Sequence, residues 1–127
     1  MKHEDLTSII ISICIKIHKD LGPGLLESVY EEILCYELIK QGIPFTRQQG
    51  IPIVYEDVKL ELGFRSDVVV DNKVLVELKS VEAVPPVYAK KVLTYLRFTG
   101  VEVGLLINFH VALLKDGITR LMLDRRN

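Results

Sequence analysis

The hydrophobic positions change period along this chain. Over residues 5–20, Leu6, Ile9, Ile10, Ile13 and Ile17 recur at helical spacing, which predicts an amphipathic helix capped by Asp5 or Thr7. Gly22, Pro23 and Gly24 stop it. A second helix is predicted from about Leu25 to Lys40, with Leu26, Val29, Tyr30, Ile33 and Leu34 along its apolar stripe and Gly42 at its end. From residue 43 the pattern shifts to short β-rich runs divided by turn residues, IPFTRQ, IPIVYED, VKLELGFRSDVVV and KVLVELKSV. These predict strands of one largely antiparallel sheet. Pro85-Pro86 opens a third helix over about 87–99, with Val92, Tyr95 and Leu96 on one face and Gly100 at its end. The run VEVGLLINFHVALL predicts a nearly all-apolar strand leading to a hairpin at Lys115-Asp116-Gly117 and a last strand ITRLML, with a tail at 124–127 expected to fray.

The order helix, helix, strands, helix, strands is that of an α+β protein, a mixed and mostly antiparallel sheet flanked by helices. No repeat, low-complexity segment or long linker divides it, so one domain over 1–127 is expected. The chain is 49% hydrophobic and 26% charged, enough for a core without disulfides or a structural metal. A net charge of -1 excludes a general polyanion binder and leaves a local basic patch as the route to nucleic acid. Cys14 and Cys35 lie inside helical apolar patterns without CxxC spacing, which predicts two buried thiols rather than a bridge or a zinc site. The start MKHEDLTSII lacks signal-peptide order, and the apolar run near 103–114 is broken by Asn108 and His110 and too short to span a bilayer. A reducing cytoplasm fits these features. An exposed sheet edge, or that apolar run, offers a surface for a homodimer.

The stretch that carries chemistry is FRSDVVVDNKVLVELKS, residues 64–80. Glu77 and Lys79 are two apart on a predicted strand and so share a face. Whether Asp67 joins them depends on the turn. A two-residue loop at Asp71-Asn72 sends Asp67 and Glu77 to opposite faces, whereas a three-residue loop, Asp71 to Lys73, pairs Val70 with Val74 and sets Asp67 opposite Glu77. Adjacent carboxylates repel unless a positive charge sits between them. Lys79 answers part of that need, and Mg2+ or Mn2+, which favour hard oxygen ligands, answers more. Lys79 would then orient or deprotonate an attacking water, or stabilise charge building on a phosphate. The competing reading is a solvated sheet face with a cross-strand ion pair worth a fraction of a kcal/mol. Spacing alone leaves the two open.

Other polar residues have simpler readings. Glu27 in a first turn opposes the helix dipole, and His18 suits the end of the first helix for the converse reason. Tyr30 reads as core with its hydroxyl at the rim. Lys90, Lys91 and Arg97 form either a phosphate-binding strip or a solvated face. Arg65 is expected to pair with Asp67 or Glu77 when no metal is bound. Asn108, if buried, needs a partner such as a turn supplies.

Gly24, Glu27 and Tyr30 in GLLESVY, with His18 and LGPG before them and FRSD, VELKS and YLRFTGVEVGLLINF after them, resemble the small GxxExxY proteins, placed within the PD-(D/E)XK nuclease-like superfamily. The resemblance covers nearly the whole chain. It implies a restriction-endonuclease-like core in which an acidic residue on the first core helix, an Asp on the second strand and an Asp/Glu-x-Lys on the third surround one or two metal ions. Carried over, the catalytic set is Glu27, Asp67, Glu77 and Lys79, and the first three would ligate Mg2+ or Mn2+. Lys91, Arg65 and Tyr30 would face substrate. Two positions depart from the pattern: Arg65-Ser66 stands before Asp67 where the superfamily has proline, and Lys91 occupies the place of a third-helix Gln. That lysine would either bind phosphate or replace the metal's charge. The implied function is a metal-dependent nuclease acting on DNA or RNA, and the alternative is a catalytically inactive nuclease-fold binding or interaction module.

Overall fold

A computed structural model describes residues 2–123, and over 61–64 the backbone only. The predicted tail at 124–127 lies outside the described residues. Helix α1, Glu4–Leu21, starts behind His3 in the left-handed region at φ 53°, with no side-chain cap. Asp5 sits within the first turn, and the Thr7 hydroxyl donates to the Glu4 carbonyl at 3.0 Å, so neither is the expected cap. Helix α2 spans Glu27–Lys40. Between the helices the chain turns through Gly22 at φ 74° and Gly24 at φ 99°, conformations that residues with a Cβ resist. The Tyr30 hydroxyl fastens the turn, donating to the Gly22 carbonyl at 2.6 Å and accepting from the Leu25 N–H at 3.2 Å. Leu25 is thereby held in the turn, and α2 starts two residues later than its apolar period suggests.

Five strands form one sheet in the order β1-β2-β3-β4-β5. They are β1 Phe45–Tyr55, β2 Val58–Val70, β3 Val74–Lys79, β4 Val103–Asn108 and β5 Ile118–Met122. Neighbours are antiparallel except β3 and β4, which run parallel because helix α3, Pro86–Thr99, crosses between them. The two runs IPFTRQ and IPIVYED form one strand rather than two. Their partner β2 is continuous, and a register irregularity between Ile51 and Ile53 absorbs Pro52, which has no N–H to donate.

The sheet is covered on both faces. On one, Ile10, Ile13 and Ile17 of α1 and Tyr30, Leu34 and Leu38 of α2 pack against Val68, Val70, Val76, Leu78, Leu105 and Ile107. On the other, Val92, Tyr95 and Leu96 of α3 pack against Val69, Leu75 and Leu106. Alternation along β2 and β3 therefore directs even-numbered residues to α1 and α2 and odd-numbered ones, Asp67 and Glu77 included, to the α3 side. Cys14 and Cys35 are buried free thiols, pushed by burial up to about 12 and about 11.

The apolar run after α3 is a strand only as far as Asn108. The Asn108 side chain accepts from the N–H groups of Val81 and His110, both at 3.1 Å, and donates to the Val81 carbonyl at 2.9 Å, which turns the chain away. β4 and β5 pair antiparallel as the expected hairpin requires, but residues 109–117 join them, with a 3-10 turn at Leu114–Gly117 in place of a tight turn at Lys115-Asp116-Gly117. Phe109 in this connection is fully buried and stacks on Tyr30 with ring centroids 4.1 Å apart. His18 donates through Nε2 to the Val111 carbonyl at 2.8 Å, so it anchors this connection instead of capping its own helix. Of the apolar run near 103–114, residues 103–109 are buried, while His110, Ala112 and Leu113 are exposed. Among the described residues no helix is long and apolar enough to cross a membrane.

Candidate active site

The site begins at the turn between β2 and β3. Asp71 at φ 51° and Asn72 at φ 55° are residue types that tolerate left-handed backbone, and the Lys73 N–H donates to the Val70 carbonyl at 2.9 Å. Val70 pairs with Val74, the three-residue connection, and regular pairing continues through Val68 and Val76. One step further Asp67 and Glu77 face each other, and their side chains take over from the ladder. The Asp67 N–H donates to Glu77 Oε1 at 3.0 Å, and the Leu78 N–H donates to Asp67 Oδ2 at 2.8 Å.

This is an electrostatically crowded place. Glu77 is only 6% exposed. Burial, and then the charge of Asp67, push its carboxyl from 4.5 up to about 8. Asp67 is half-buried and also raised, chiefly by burial and further by the charge of Glu31, against the Leu78 N–H and Lys79, which favour its ionised form. The Tyr95 phenol is raised by burial and by both carboxylates. Lys79 Nζ stands 4.5 Å from the centre of the Tyr88 ring, and Lys91 Nζ lies 5.1 Å from the same ring. Glu77, Lys79, Tyr88, Lys91, Tyr95 and Leu106 border a cavity of about 50 Å³, room for about one or two waters.

Asp67, Glu77, Lys79 and Lys91 are thus brought together. Glu27 is not part of that group. It is the first residue of α2, exposed, with its carboxylate accepting from the Ser80 N–H at 3.4 Å. The N-terminus of α2 thus meets the end of β3 at Ser80, and the residue of α2 beside Asp67 is Glu31, one turn further on. Among the described residues no three acidic, His or Cys side chains converge as a metal site, so the expected three-carboxylate cluster is absent. Arg65 does not pair with Asp67 or Glu77 either. Its Nη1 donates to the Gln48 carbonyl at 3.0 Å. Tyr30, fully buried with its hydroxyl engaged in the turn, offers nothing to a substrate. Lys90 and Arg97 are exposed on α3, and Arg97 lies against Thr94 and Phe98.

The sequence reading missed Glu31. It is 7% exposed, held by Arg47 through two hydrogen bonds to Oε2 at 3.1 and 2.9 Å and by the Gln48 amide to Oε1 at 2.9 Å. The same amide also donates to Asp67 Oδ1 at 3.4 Å. A signal existed: Glu31 lies on the stripe of Leu34, Cys35 and Leu38, where a charge implies a partner. Arg47 and Gln48 gave none, because their partners come from a distant helix.

Residues 4–121 match the PD-(D/E)XK nuclease superfamily, and the chain belongs to it. Among solved structures, the alkaline exonuclease LHK-Exo of Laribacter hongkongensis is similar at 20% identity and a TM-score of 0.46, over 71% of this chain and 52% of the exonuclease. Its complex with dAMP gives 21% identity with the same TM-score and coverage. The chain spans about half the length of that enzyme. No curated protein matches.

Proposed function

We propose that this protein is a metal-dependent nuclease that hydrolyses phosphodiester bonds of DNA or RNA, with Asp67 and Glu77 holding Mg2+ or Mn2+ and Lys79 acting on the water. One observation carries the reading: two adjacent carboxylates, one almost fully buried, both held above their ordinary pKa chiefly by burial, Glu77 also by the charge of Asp67 and Asp67 by that of Glu31. Such a pair is short of positive charge. Magnesium is commonly bound by one or two carboxylates and keeps several waters, so the pair suits it without Glu27. A bound ion supplies Lewis-acid charge and a water of lowered pKa.

The remaining work falls to the chain's own groups. Lys79, two residues beyond Glu77 on the same face, is held against Tyr88, from where its ammonium orients the water or neutralises charge developing on the phosphate. Lys91, at the same ring, binds a phosphate oxygen. Glu27 supports the end of β3 through Ser80. Two buried free thiols support a reducing, cytoplasmic location.

A second reading, a nuclease-fold binding module without catalysis, is favoured by the two ammonium groups at Tyr88, which set positive charge beside the acidic pair without a metal. Purified protein incubated with labelled single-stranded and duplex DNA and RNA, with Mg2+ or Mn2+, separates them. Metal-dependent cutting lost in Glu77→Ala and Lys79→Ala is the expected result. Absence of cutting on all substrates, or equal cutting by both variants, overturns the nuclease reading.

A further inference from the structure

We infer that Gln48 is a positioning residue that fixes the Asp67 carboxylate for a divalent cation, an assignment that rests on the metal-dependent reading above. Asp67 Oδ2 is pinned by the Leu78 N–H at 2.8 Å and Oδ1 receives the Gln48 amide at 3.4 Å, so both oxygens are held from the protein side and the carboxylate plane is set. The other end of the same amide contact is Glu31 Oε1 at 2.9 Å, while Arg47 occupies Glu31 Oε2. Gln48 thus places a donor between two acids that otherwise repel.

The backbone is bent to achieve this. Arg47 pairs with Val68 and Gln49 with Ser66, so the register runs unbroken past Gln48 and no residue is inserted. In a regular strand Arg47 and Gln48 point to opposite faces. Here both reach Glu31, because Gln48 adopts φ 50°, a left-handed conformation that a residue with a Cβ adopts at a cost. Glycine would be the comfortable residue at that backbone, yet it has no amide to offer. The Arg65 guanidinium holds the Gln48 carbonyl at 3.0 Å and keeps the distorted peptide in place.

The substitution Gln48→Gly relieves the backbone and deletes the amide, which leaves both Asp67 Oδ1 and the buried Glu31 Oε1 without that donor; Arg47→Ala, which strips Glu31 of its other donor and keeps the amide, is the control. Mn2+ affinity is read by electron paramagnetic resonance of the free ion, and thermal stability by circular dichroism in chelator. The expected result, in protein still folded at the assay temperature, is Mn2+ affinity weakened about tenfold or more in Gln48→Gly, the usual effect of losing a group that orients a metal ligand, and affinity close to wild type in Arg47→Ala. Affinity within about twofold of wild type in Gln48→Gly overturns the assignment, as does an equal loss in Arg47→Ala, which marks a merely structural effect through Glu31. If wild-type protein binds no Mn2+, the metal reading itself fails and the assignment with it. Wild-type binding retained in Gln48→Gly overturns the assignment alone.

Discussion

Replacing Glu77 by glutamine removes one buried ionisable group while keeping its shape and its acceptor for the Asp67 N–H at 3.0 Å. The carboxyl titrates near 4.5 in an unfolded chain and at about 8 in the folded protein. The native state therefore holds a proton that the unfolded chain releases over this interval. Stability from this group is complete below pH 4.5, falls as pH rises, and is lost above about 8. At about 1.4 kcal/mol per pKa unit, the whole fall is on the order of 5 kcal/mol. For a domain of this size that corresponds to roughly 10–20 °C in melting temperature. Metal-free wild-type protein and Glu77→Gln, melted by circular dichroism in chelator from pH 5 to 9, provide the comparison. The wild type should lose stability relative to the variant with rising pH, since the amide cannot ionise and titrations of groups remote from Glu77 cancel in the difference, leaving Glu77 with its linked neighbours Asp67 and Tyr95. Parallel profiles across this range would refute the claim that Glu77 is charged at a penalty in the fold.

Three further substitutions test the surrounding structure. Tyr30→Phe strands the Gly22 carbonyl and the Leu25 N–H and should cost about 1–2 kcal/mol in urea unfolding; an unchanged midpoint would show that the hydroxyl does not hold the turn. Arg47→Ala leaves the buried Glu31 carboxylate with Gln48 as its described hydrogen-bond donor and should cost about 2–3 kcal/mol at pH 7, with much of the loss recovered by a second change, Glu31→Gln. Gly104→Ala drives a methyl to 2.6 Å from Val92 Cγ1 between β4 and α3; a loss of about 1–3 kcal/mol is expected, and a neutral result would mean that α3 shifts freely.

Much of the architecture follows from local pattern. Helical periods placed α1, α2 and α3, and paired turn residues marked the ends of β2 and β3. The pairing of Asp67 with Glu77 was legible as a question of loop length, because side chains alternate with period two and one residue in a turn decides which face each acid takes. The motif of Gly24, Glu27 and Tyr30 was legible as a resemblance, but its glycine and tyrosine act on the fold: Gly24 turns the chain, and Tyr30 ties that turn to the core.

Tertiary structure decided the rest. It joined two predicted strands into β1 because β2 offers a continuous partner, and it ended β4 at Asn108 because Val81, far away in sequence, satisfies that amide. It set the first residue of α2, Glu27, at Ser80 beyond the end of β3, and Glu31, one turn further along that helix, beside Asp67 through Gln48. Periodicity reports which face of an element is apolar, and so it determined what is buried. It carries no information on how a helix end sits over a sheet of distant strands, and that placement determines which carboxylates meet.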